Sequence, residues 1–171
     1  MTRTLFIIPI LALALSGCAD GTPRQPSTAG QSPGQPSCQT TSSQLNAKGA
    51  AETNAARRAS GLPPLTANSL LAQVAAGHAC DMAKRGQMTH QGSQTSGPGQ
   101  RVKAKGYAPR ITAENIAAGP FDADRVLAEW QASKGHYANL MLPQVRDFGI
   151  GHAVGADGRT RYWAAVYAAP K

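Results

Sequence analysis

From Ala19 to Gln44 nearly every residue is Pro, Gly, Ser, Thr or Gln. Such a stretch cannot bury enough apolar surface to offset the entropy of ordering it, so it reads as a flexible extended tether. Core building therefore falls to Leu45–Lys171, a length that suits one compact domain and not two. Aromatic residues are only 5% of the chain, so this core must come mainly from Ala, Leu, Ile and Val.

Ahead of the tether, Met1–Thr4 carries Arg3, and Leu5–Leu15 is an almost unbroken apolar run followed by small residues. The run is about half of the ~20 residues that span a bilayer, so residues 1–17 read as a secretory signal peptide. Leu15-Ser16-Gly17-Cys18 resembles a bacterial lipobox; a plain signal peptide with an incidental cysteine is the alternative. The resemblance implies that Cys18 is acylated (a palmitate-type modification) and becomes the new N-terminus, holding the protein on a membrane through several acyl chains. Ala19, where an aspartate would retain the protein at the inner membrane, implies the periplasmic side of the outer membrane if the organism is Gram-negative.

The chain carries a formal charge of +8, and processing removes Arg3 without removing an acid. A basic protein outside the cytoplasm does not meet nucleic acid. Anionic lipid headgroups, lipopolysaccharide phosphates or cell-wall polymers are the partners such charge fits, the alternative being a solvated surface with no dedicated partner. Acylation of Cys18 leaves Cys38 and Cys80 to pair in an oxidising compartment, with two free thiols as the alternative.

Leu45–Ser60 is Ala-rich and proline-free, a helix stopped by Gly61-Leu62-Pro63-Pro64. Asn68 suits the N-cap of a second helix through Arg85, where Leu70, Leu71, Val74, Ala75, His78 and Met82 share one face and Cys80 lies opposite. Gln91–Gln100 reads as a loop, followed by a short helical piece before Gly106-Tyr107 and a strand over Ile111–Ala117. Asp122 and Asp124 open a third helix through Ser133, and His136–Leu142 adds a turn or two. Phe148–Val154 and Arg161–Ala168 form a closing hairpin. Helices on both sides of a small, mainly antiparallel sheet make an α+β fold, an α-β-α sandwich.

No HExxH, P-loop, dinucleotide fingerprint or nucleophile elbow is present. His90, just past the second helix, Glu114 in the strand and His136 at a helix start could converge on a divalent ion with open positions. The positive end of the helix dipole would keep His136 neutral. Glu114 could instead pin its strand to a loop, Asn139 reads as a structural cap, and His78 and His152 read as buried core residues. Ser133 activated by His136 is a conceivable nucleophile with no oxyanion feature to support it.

Several blocks occur in a fixed order: Arg57/Arg58 with Gly61-Leu62-Pro63-Pro64-Leu65, Met88-Thr89-His90, Arg101, Gly106-Tyr107, Glu114-Asn115-Ile116-Ala117-Ala118-Gly119, Trp130 through His136, Asn139, Gly149-Ile150-Gly151 and Tyr162-Trp163. In this combination the chain resembles the bacterial branch of the CAP superfamily: cysteine-rich secretory proteins, antigen five and pathogenesis-related-one proteins, also called SCP domains. The resemblance runs over roughly Leu45–Ala168. It implies an α-β-α sandwich with a central cleft, lined in many members by two His and two Glu that can bind zinc or another divalent cation. His90, Glu114 and His136 match the first His, the first Glu and the second His; the second Glu position holds Ser133, which removes a carboxylate that could act as general base.

The expected function is an envelope lipoprotein with a monomeric CAP domain over residues 45–171, binding a lipid or cell-wall-type ligand at this cleft without catalysis. The alternatives are a zinc-dependent hydrolase of amide or ester bonds and a structural or interaction module.

Overall fold

A computed structural model of the chain describes residues 34–171. The signal peptide, Cys18 and the first part of the tether lie outside the described residues. The elements in chain order are β1 (Ser37–Cys38), α1 (Ser43–Ala59), β2 (Thr66–Ala67), α2 (Ser69–Arg85), α3 (Pro98–Ala104), β3 (Pro109–Gly119), α4 (Ala123–Ala132), α5 (Lys134–Leu140), β4 (Asp147–Val154) and β5 (Arg161–Pro170).

The sheet runs β1-β4-β5-β3, with β2 also paired to β4. Every pairing is antiparallel except β2 with β4. β5 lies between β4 and β3, and its period-two alternation feeds two cores. Tyr162, Ala164, Val166 and Ala168 pack with Leu71, Val74, Met82 and Val102 of α2 and α3. Trp163, Ala165 and Tyr167 pack with Ala50 of α1, Val126, Leu127 and Trp130 of α4, and Leu140 of α5. With both faces covered, β5 is almost continuously buried, and the architecture is the expected α-β-α sandwich.

Local capping explains most of the helix boundaries. Asn68 accepts hydrogen bonds from the amides of Leu70 and Leu71, and Gly86 ends α2 in the left-handed region at φ 62°. Asp122 caps α4 by accepting from the Arg125 amide.

The expected start of the domain at Leu45 needs correction, because the last part of the supposed tether belongs to the fold. Ser37 and Cys38 pair with Val154 and Ala153 of β4, Thr41 donates to the Ile150 carbonyl, and Ser42 caps α1. A disulfide joins Cys38 to Cys80, so the strand is held covalently to α2, through a cysteine that packs at the margin of the core.

Candidate functional site

The sheet order leaves β3 at an edge, and the candidate residues straddle it. Glu114 lies opposite Val166, whose side chain belongs to the α2 face, while Asn115 lies opposite Ala165 on the α4–α5 face. His90 reaches the edge on the loop after α2, and His136 reaches it on α5. Burial, and then the neighbouring His90, hold the His136 pKa below its ordinary value. That differs from the expected cause, the dipole of a helix that here is only Lys134–Leu140.

Glu114 is at the centre and is almost fully buried, its side chain 1% exposed. Its Oε2 accepts from Arg101 Nη2 at 2.6 Å, and its Oε1 accepts from His90 Nδ1 at 2.9 Å. With a carboxylate as partner, His90 Nδ1 carries a proton, and the His90 side chain is 55% exposed. Buried groups also grip the backbone around His90: Arg101 Nη1 donates to the His90 carbonyl at 3.0 Å, and His78 Nε2 donates to the Thr89 carbonyl at 3.0 Å. His78 is buried, as expected, and its Nε2 lies 3.7 Å from Glu114 Oε1. Burial lowers its pKa despite that carboxylate, so the ring is a neutral donor.

A pair of asparagines registers α5 against β3. Buried Asn115 donates to the His136 carbonyl at 3.1 Å and accepts from Asn139 Nδ2 at 2.8 Å. Asn139 Nδ2 also donates to the Glu114 carbonyl at 3.1 Å. Asn139 is therefore a tie between helix and strand rather than the expected cap. Trp130 packs beside His136, ring centroids 6.5 Å apart, and donates to the Ile116 carbonyl.

Ser133 sits at the joint of α4 and α5, where its carbonyl receives the Tyr137 amide at 2.7 Å and its hydroxyl makes no capping bond. It serves the backbone turn and acquires no nucleophile's environment. His152, expected to be buried, is only half-buried and stacks on Trp163 with centroids 4.6 Å apart.

The structure brings His90, Glu114 and His136 to one edge, but as two imidazoles and an orienting carboxylate. Both oxygens of Glu114 are committed, and among the described residues no group of three His, Cys, Asp or Glu is placed to hold a metal ion. In this arrangement Glu114 is the carboxylate that fixes the tautomer of His90. Sequence reasoning gave Arg101 no role beyond its place among the ordered blocks.

The family model of the cysteine-rich secretory protein family (CAP) matches residues 50–167. The chain is 31% identical over 100 residues to the uncharacterized protein YkwD of Bacillus subtilis (strain 168), a match covering 58% of this chain and 39% of that protein. It therefore spans well under two thirds of that relative's length. Among solved structures, an outer surface protein of Borrelia burgdorferi shares the fold at a TM-score of 0.67 and 19% identity, over 77% of this chain and 96% of that one. An extracellular protein containing an SCP domain from Bacillus anthracis str. Ames gives a TM-score of 0.64 at 26% identity, over 73% and 40%. NaASP2, solved with Zn2+, gives 0.53 at 14% identity, over 75% and 80%. With the expected blocks folded around one edge strand, the chain belongs to the cysteine-rich secretory protein (CAP) family.

Proposed function

We propose that the protein is a cell-envelope lipoprotein, anchored through acylated Cys18, whose edge-strand cleft binds a lipid or cell-wall-type ligand without cleaving it. The observation that carries this reading is the position of the exposed large hydrophobics. Met88, 51% exposed, and Tyr137, 36% exposed, are the ones found among the described residues, and they lie two residues and one residue from the cleft histidines. Apolar side chains held in water beside polar ring nitrogens suit an amphiphile, with its apolar part on the rim and its headgroup at the imidazoles. A hydrolase reading needs a carboxylate free to take a proton from water, and Glu114 is already bonded on both oxygens.

The envelope location is supported by the outer surface and extracellular relatives. No helix among the described residues is long and apolar enough to cross a membrane. A divalent cation such as zinc suits His90 and His136, which would hold it while Glu114 orients His90; when bound it would supply positive charge for an anionic headgroup.

Titration with a fluorescent medium-chain fatty acid tests the binding reading. Saturable binding is expected, weakened at least tenfold by the double substitution Met88→Ser/Tyr137→Ser. Absence of saturable binding, or unchanged affinity in the double variant, overturns it. Calorimetry with zinc tests the metal: His90→Ala and His136→Ala should each abolish the binding isotherm, and wild-type-like isotherms in both would remove the metal from the site.

A further inference from the structure

α2, α3 and the loop between them enclose a groove of about 310 Å3 that Arg101 helps to line. This volume is at the small end of the range for small-molecule sites. Val74 and Gly77 of α2 and Ala104 of α3 give it an apolar lining, and Thr95, Arg101 and Lys105 add polar groups.

Gly77 is the first unusual feature. It sits within α2, a helix that uses Ala at 72, 75, 76, 79 and 83, and a Cβ built on it would meet nothing within 4 Å. Packing does not demand glycine there, and glycine costs a helix about 1 kcal/mol relative to alanine. What its lack of a side chain does is keep the groove open.

The second feature is a pre-built wall. Gly92 cannot be replaced without collision, since a Cβ would stand 2.7 Å from Thr95 Oγ1. The loop is closed by the Gly92 amide donating to the Thr95 carbonyl at 2.8 Å. It is further held by Ser93, whose amide and hydroxyl both donate to Asp81, and by Arg101 Nη1 donating to Thr95 Oγ1 at 3.1 Å. A wall fixed before binding lowers the entropic cost of holding a ligand.

The third feature is an unmet donor excess. Asp81 is spent on Ser93 and on Arg85, at 3.0 Å, and Arg101 is spent on Glu114. Lys105 joins none of the ion pairs among the described residues. Arg101 Nε is buried with no hydrogen-bond partner. The groove therefore has one cation outside any ion pair, Lys105, beside a short apolar lining.

We propose that this α2–α3 groove is a second ligand site, separate from the histidine cleft, for a small monocarboxylate with a compact apolar body. The carboxylate lies toward Lys105 and Arg101, and the apolar body occupies the space above Gly77. Because the same guanidinium holds Glu114 and the His90 carbonyl, the groove and the cleft share one wall.

The test is a titration of the isotope-labelled protein with N-acetylalanine and with its neutral amide, followed by backbone amide shifts. Saturable shifts at Gly77, Ser93, Thr95 and Lys105 are expected, with the acid binding at least tenfold more tightly than the amide. Lys105→Gln should remove that preference. Gly77→Leu should abolish binding while the melting temperature stays at or above that of the wild type, with Gly77→Ala as the milder variant should leucine disturb the fold. His90→Ala should leave binding intact. Equal affinity for acid and amide, shifts confined to the His90–His136 cleft, or undiminished binding in a folded Gly77 variant would each overturn the proposal.

Discussion

Arg101 holds three partners from two segments: Glu114 on β3, and the carbonyl of His90 and the hydroxyl of Thr95 on the loop between α2 and α3. Its side chain is 10% exposed and that of Glu114 is 1% exposed, so the pair is shielded from solvent. Breaking a buried pair by removing one member leaves an uncompensated charge, at a cost of about 3–5 kcal/mol. Arg101→Met should therefore lower unfolding free energy in urea by about that amount, while the double variant Arg101→Met/Glu114→Gln recovers a large part of it. Additive losses would show that the two side chains do not act as a pair. Arg57 makes a related point without a counter-ion. Fully buried, it donates to the carbonyls of Pro63, Leu140 and Leu142, tying the loop after α1 to the end of α5. Burial lowers its pKa first, with nearby Arg146 adding to the effect.

At the scale of elements, the contact between α2 and β4 sets how deep the sandwich can close. A Cβ on Gly149 would collide with the backbone of Leu71 and Ala72, and one on Gly151 with the backbone of Ala76. Helix and strand thus meet backbone to backbone, glycines at i and i+2 of the strand facing residues one helical turn apart. Gly151→Ala should destabilise the fold by about 3 kcal/mol or more, since the clash is with main chain that cannot rotate away. A thermal melt within a degree or two of wild type would contradict this packing. These glycines were visible in the sequence only as part of a resemblance, because their reason lies in a helix some eighty residues earlier. Where the reason is local, the sequence was enough: Asn68 capping α2 and Asp122 starting α4 are both readable within one helical turn. β1 shows the limit. Two residues in a polar stretch become a strand because Val154 and Ala153 lie alongside and Cys80 fixes them, which no local pattern announces. The site divides in the same way, since the histidines and Glu114 were identifiable as residue types in order, whereas Arg101 is thirteen residues from the carboxylate it neutralises.

Across the whole molecule, groups whose pKa values folding shifts set the pH range in which the fold is stable. His78, His136 and His152 all have pKa values lowered, in each case first by burial. Below the ordinary histidine value of about 6.5 the unfolded chain binds these protons more readily than the folded one, so stability falls with pH there and is complete above it. Asp157 acts in a lower window. The Thr160 hydroxyl and the amides of Arg159 and Thr160 hold its pKa at about 2, so its contribution is complete above the ordinary aspartate value near 3.9 and is lost as pH falls toward 2. Tyr107 and Tyr167 set the alkaline edge: burial first, joined at Tyr107 by the bond to Asp147, raises both. Their stabilisation is complete below the ordinary tyrosine value near 10 and is lost as pH climbs above it. Denaturant midpoints should therefore rise from pH 5 to about 7, stay level to about 9, and fall beyond 10. His78→Gln should flatten the rise on the acid side while leaving the alkaline fall unchanged, because the amide can still donate to the Thr89 carbonyl but does not titrate. A profile that declines between pH 5 and 7, or an acid limb identical in the variant, would mean that these histidines are not held neutral by burial.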